Sequence, residues 1–235
     1  MKKLILALSF TLLFSACATV NKQAFNKEMA TNIKTLTITR QDAPEKYGIS
    51  IIAHPGLNFG LVGGLIAAAD MESKSSTLTT ALDPKITKLR ERLSNQLISE
   101  LGKAGYTAEM MSHPDEKDPV VLINDLRGKV ASDGILATKI YAAYIAAGPT
   151  TPYYPYIRAE VALADSKNGK ILYQDTFTYG YTFPESKTVH LNSRPEYQFN
   201  DIDQLVAKTD LAREGLSKGV EAIIGVVASD LAKNP

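Results

Sequence analysis

From Ile135 to Ala146 the chain is apolar at nearly every position, in both alternating sets. A strand with one wet face would alternate, so this run predicts a strand inside a sheet covered on both sides. Such a strand needs flanking strands and helices to cover it, and the rest of the chain supplies both. Ile157–Asp165 and Lys170–Tyr181 read as a hairpin about Asn168-Gly169. A two-residue turn would set Val161 and Leu163 beside Thr176 and Gln174. A three-residue loop, Lys167-Asn168-Gly169 with left-handed glycine, shifts the pairing by one. Ala159, Val161 and Leu163 then share a face with Ile171, Tyr173 and Phe177. A slip of one residue flips every side chain, so the pattern selects the second register, with Asp175 as its one misfit.

Earlier strands are expected at Thr35–Thr39 and Gly48–Ala53, the latter a second strand or the first resumed, and at Tyr106–Met111. Asp83-Pro84 opens a helix with an N-cap and a first-turn proline. Ile86, Leu89, Leu93, Leu97 and Leu101 form its stripe, and Gly105 closes it. Glu72–Thr80 is Ser/Thr-rich and reads as an exposed loop. Pro119–Lys129 suits a short helix. Asn200 or Asp201 caps a long helix to about Lys233, with a break or close packing expected at Gly215, Gly219 and Gly225. The fold class is α+β: a single mixed, largely antiparallel sheet with two long helices packed on it.

The amino terminus constrains location. Met1-Lys2-Lys3, the apolar run Leu4–Phe14 and Ser15-Ala16-Cys17 have the layout of a secretory leader. The apolar run is too short to span a bilayer, which takes about 20 residues. Phe14-Ser15-Ala16-Cys17 resembles the lipobox of bacterial lipoproteins, with Phe where the family usually has Leu. That resemblance implies cleavage after Ala16 and lipid attachment at Cys17. Ala18, in place of Asp, resembles lipoproteins sorted to the outer membrane. Plain cleavage at Ala16-Cys17-Ala18 is the alternative, and it would discard the cysteine. The resulting division is a signal peptide at 1–16, a lipidated tether at 17–34 and one α+β domain at 35–235, its body in the periplasm.

Cys17 is the single cysteine of 235 residues, so the fold rests on packing without an internal disulfide. Losing Lys2 and Lys3 with the leader leaves basic and acidic residues almost balanced. Bulk binding of nucleic acid, which needs a basic face, is therefore not expected. The usual nucleophile, phosphate-loop and metal motifs are missing from the sequence, and His54, His113 and His190 fall in three separate expected loops. No catalytic residue, cofactor or metal ligand is assigned, and the chain is not expected to be an enzyme.

Two stretches are candidate surfaces. Gly148–Tyr156 clusters Tyr153, Tyr154 and Tyr156 among prolines, giving stiff amphipathic area for an envelope protein partner, or rings that merely close the sheet end. Gly56–Ala69 reads as a poor phosphate loop, as a buried connection, or as an assembly segment. In the last reading Gly60, Gly63 and Gly64 allow close approach to another copy or to membrane. Pro155–Arg158 and Asp165–Asp175, with its D-x-x-x-G-K-hydrophobic-hydrophobic-Y pattern, look like uncharacterised Gram-negative lipoproteins. The element order is similar to the class that holds the TolB amino-terminal domain, the lipoprotein activator of penicillin-binding proteins and the curli secretion lipoprotein. These resemblances imply a membrane-anchored adaptor, or alternatively an oligomeric secretion component.

Overall fold

The computed structural model describes residues 21–114, 116–184 and 186–233, so the leader and Cys17 lie outside the described residues. Seven strands form one sheet: β1 Thr35–Gln41, β2 Tyr47–Ile51, β3 Thr107–His113, β4 Gly134–Ala146, β5 Tyr153–Asp165, β6 Ile171–Gly180 and β7 Val189–Leu191. Their order is β3-β1-β4-β5-β6-β7, and β2 also lies against β4. β1 covers Gly134–Leu136 of β4 and β2 covers Ala142–Ala146, so β2 resumes the track that β1 leaves. The long ladders β4–β5 and β5–β6 are antiparallel, whereas β1–β3, β1–β4, β2–β4 and β6–β7 are parallel. The sheet is mixed as expected, and "largely antiparallel" holds for its centre alone.

The helices are α1 Gly60–Leu82, α2 Pro84–Thr87, α3 Leu89–Lys103, α4 Pro119–Leu126, α5 Ile202–Ala207 and α6 Thr209–Asp230. Among the described residues the long helices thus number three rather than two, and α1 is the addition. One face of the sheet packs Leu36, Leu136, Tyr144, Ile157 and Phe177 against Leu97 of α3 and Leu216 and Val220 of α6. On the other face α4 lays Leu122 and Ile123 over Ile135, Ala137, Ala162 and Ala164. That double cover explains why β4 is apolar on both sides. Gly219 lets α6 approach the sheet: a Cβ there would sit 2.5 Å from the Tyr179 ring.

The hairpin has the expected register, Leu163 beside Tyr173 and Ala159 beside Phe177, with Gly169 at φ +73°. Ile171 departs from it. A bulge at this point pairs Ala164 with Ile171 and Leu163 with Tyr173, and Leu172 is the extra residue. Ile171 therefore joins the α4 side. The misfit Asp175 is buried on the core face, with its carboxylate 2.9 Å from Lys22 Nζ and accepting from Thr176 N–H. Its partner comes from the segment ahead of β1. Gln23 already pairs with Gln174 of β6, and Ala30 and Ile33 are buried.

The Asp83-Pro84 helix breaks at Lys88, which is left-handed at φ +47°. Glu45 then caps the new start by accepting from Leu89 N–H and Arg90 N–H. Ile86 precedes the break and is exposed, while Leu89, Leu93, Leu97 and Leu101 are buried. The carboxy-terminal helix breaks at Lys208, not at its glycines.

Candidate functional site

Glu72–Thr80, expected as a loop, is the second half of α1. Two of its hydroxyls are taken up by the sheet. Thr79 Oγ1 accepts from Tyr47 N–H at 2.9 Å, Ser75 Oγ from Ile49 N–H at 2.7 Å, and Met71 Sδ from Ile51 N–H at 3.5 Å. One helical stripe at i, i+4 and i+8 thus meets alternate N–H groups of the free edge of β2. The spacings agree, since four helical residues rise about 6.0 Å and two strand residues about 6.6 Å. A pairing made across the fold is invisible to a window of local propensity.

The first half of α1 runs beyond the strand. Past Ile51 the chain forms a short 3-10 turn, Pro55–Phe59, reverses at Gly60 (φ +62°) and returns as α1. The result is a prong. His54 braces its base: Nδ1 accepts from Gly56 N–H, which leaves Nε2 to donate to Asp70 at 3.2 Å. The Lys74 hydrogen bond, with help from His54, holds the Asp70 carboxyl below its ordinary pKa. Gly63 packs inside the prong, where a Cβ would lie 2.2 Å from the Gly56 carbonyl oxygen. Gly60 and Gly64 face open space.

The prong's outer surface is apolar. Phe59 is 75% exposed, Leu61 82%, Val62 70%, Leu65 63% and Ile66 61%, with Leu57 beside them. On the helix Leu61, Leu65, Val62 and Ile66 share an arc of about 140°. Gly60, Gly64 and Ala68, at i, i+4 and i+8, run along its border. No charged residue stands between Pro55 and Ala69. Single exposed apolar residues are ordinary, but a contiguous group marks a contact site. Sequence reasoning found the glycines here and missed the large side chains around them. Their uncharged run was the signal, and it was masked because the segment did not read as a helix.

The tyrosines lie elsewhere than in a loop. Tyr153, Tyr154 and Tyr156 are on β5, so successive side chains take opposite faces. Tyr153 is buried on the α6 side and exchanges backbone hydrogen bonds with Phe199. Tyr156 is buried on the other face, edge-on to Phe183 at 5.5 Å, and half-buried Tyr154 meets Tyr181 at 6.1 Å. Pro155 is tolerated in the strand because its carbonyl accepts from Tyr181 N–H, so its nitrogen faces the same side, where β6 ends. The prolines suggested a loop; the ladder's end accommodates one of them.

The histidines remain apart. His54 is at the prong, His113 ends β3, and His190 on β7 meets Thr178 and Thr182 hydroxyls. Among the described residues no group of three or more His, Cys, Asp or Glu could hold a metal ion. A groove of about 960 Å³ flanks α1 and β2, lined by Lys46, Glu72, Ser76, Thr80, Glu116 and Tyr141 among others. No described helix is long and apolar enough to cross a membrane.

No family model and no curated protein matches the chain. Solved structures do. The chain is similar to a neuraminyllactose-binding hemagglutinin homolog from Helicobacter pylori, 9% identical at TM-score 0.40, over 86% of this chain and 84% of that one. A Xanthomonas campestris protein of the DUF330 family is 10% identical at TM-score 0.37, over 83% and 84%. A lipoprotein from Caulobacter crescentus is 12% identical at TM-score 0.28, over 60% and 81%. Likeness at this level leaves fold and function to be argued from the chain's own residues.

Proposed function

We propose that the chain is a lipoprotein of the Gram-negative outer membrane, acylated at Cys17 with its body in the periplasm, that works by assembling with further copies of itself. The observation that carries this is the exposed apolar prong. Burial of each leucine in a contact would contribute about 1.5–3 kcal/mol, enough to hold an interface together. The small-residue border of Gly60, Gly64 and Ala68 suits close approach of a second helix, which lipid would not require. Interfacial lipid-binding helices carry Lys or Arg on their polar face, and the prong has none. The resemblance of the element order to the curli secretion lipoprotein agrees with this reading. The adaptor alternative loses its tyrosine surface to the sheet and would need the prong for a different partner.

The test is the mass of full-length protein, extracted from membranes in mild detergent, by size-exclusion light scattering. A discrete oligomer is expected, and Leu61→Ser with Leu65→Ser should convert it to monomer without a loss of melting temperature. A monomeric wild type would overturn the proposal. Gly64→Leu should also block assembly. Gly63→Leu is uninformative, because it would break the prong's own packing.

A further inference from the structure

The chain leaves the body at a defined place. Gln23 and Gln174 exchange backbone hydrogen bonds of 2.7 and 2.9 Å, Gln23 Nε2 donates to the Ile171 carbonyl at 2.6 Å, and Lys22 pairs with buried Asp175. Four residues separate Lys22 from Cys17, so the acylated residue lies within about 18 Å of this clamp. The clamp sits midway along β6, and the chain after Gln23 runs antiparallel to it towards the β5–β6 turn, which is tied to its neighbours. Gly128 N–H donates to the Ser166 carbonyl, Ser166 N–H to the Asp133 carbonyl, and Lys34 N–H to the Asp133 carboxylate. Gly169 lies against Arg127, whose Cδ would be 2.9 Å from an added Cβ.

This end of the sheet carries Lys34, Arg127, Lys129, Lys167 and Lys170. All five are exposed, and none is in an ion pair among the described residues. The local carboxylates make no ion pair with these five, although Asp133 lies in the field of Lys167 and Asp125 in that of Lys129. Asp133 accepts from the Lys34 and Thr35 N–H groups, which hold its pKa below the ordinary value, and Asp165 accepts from Lys167 and Asn168 N–H. Asp125 is paired with Lys117. The prong, by contrast, is uncharged and leaves the sheet at the other end of β4, where Ala53 N–H donates to the Ala147 carbonyl.

We propose that this sheet end is the membrane-facing surface, where the five cationic side chains rest on anionic phospholipid headgroups while the prong points away from the anchoring leaflet. The proposal rests on acylation at Cys17. The length of chain between the clamp and Cys17 leaves the basic end within reach of the bilayer, and a contact of this kind weakens with salt, because screening cuts the attraction beyond about 8 Å at physiological ionic strength.

The acylated full-length protein, its lipid confirmed by mass spectrometry, is placed in vesicles of phosphatidylcholine alone or mixed with phosphatidylglycerol. Acylated Cys17 does not react with a thiol dye, so Asn168→Cys or Leu65→Cys supplies a single labelling site. Quenching by headgroup-nitroxide lipid should be several-fold stronger at 168 than at 65 in phosphatidylglycerol vesicles. It should fall in phosphatidylcholine, in high salt, and when Lys129, Lys167 and Lys170 are changed to Gln. Equal quenching at both sites, or quenching indifferent to lipid charge, overturns the proposal and leaves the anchor standing. A mass without acyl chains overturns the anchor itself.

Discussion

At the scale of residues, polar side chains hold this fold together where strands begin and end. Asp133 precedes β4 and uses one carboxylate oxygen to accept from Lys34 N–H, Thr35 N–H and Thr35 Oγ1–H, pinning the start of β1. Those bonds favour the charged form, so the folded pKa lies below the ordinary 3.8. The stability this adds is complete above the unfolded value and is lost as pH falls through the lower folded one. Asp133→Asn should therefore melt a few degrees below wild type at neutral pH, with the gap closing below about pH 4. Melting curves across acid pH would show it, and a gap of constant size would contradict it. Asp133 gave no sign of this role in the sequence, since its partners are almost a hundred residues away.

At the scale of elements, α1 stabilises the free edge of β2 with side chains. Thr79→Val and Ser75→Ala each strip an acceptor and leave a strand N–H unpaired, at a cost of about 1–3 kcal/mol apiece. Ser76→Ala, whose hydroxyl makes no such bond, should change stability by no more than about 0.5 kcal/mol. Urea unfolding of the three variants checks the ranking, and faster amide exchange at Tyr47 and Ile49 would locate the damage. Elements whose pattern records their own burial were legible: β4, the β5–β6 hairpin, and the stripes of α3 and α6. α1 was not, because its Ser75 and Thr79 hydroxyls accept from β2, a pairing that its own sequence does not record. Nor was the break at Lys88, which Glu45 supports from a separate loop.

At the scale of the whole molecule, the Lys22–Asp175 clamp and the prong lie in different places, and the candidate surfaces were unequally visible. The glycines at 60, 63 and 64 pointed to the prong, whereas the Tyr–Pro cluster suggested a surface that the strand ladder largely buries. The clamp could not be foreseen, since Lys22 and Asp175 meet only when the sheet forms. Lys22→Gln should leave Asp175 without its cation and free the segment after it. Trypsin would then cut after Lys27 roughly tenfold faster, equivalent to about 1.4 kcal/mol. An unchanged rate would mean that the Gln23 bridge suffices alone.

The pairing of α1 with β2 behaves as a vernier, two scales whose divisions nearly coincide. Each rung of the helix falls behind the strand by about 0.6 Å, so a fourth or fifth rung would be out of hydrogen-bonding range. One straight helix can serve only a short strand, and β2 has five residues against the twenty-three of α1. The surplus helix has no strand left to serve. The prong is that overhang, so shortening α1 and removing the contact surface are the same operation.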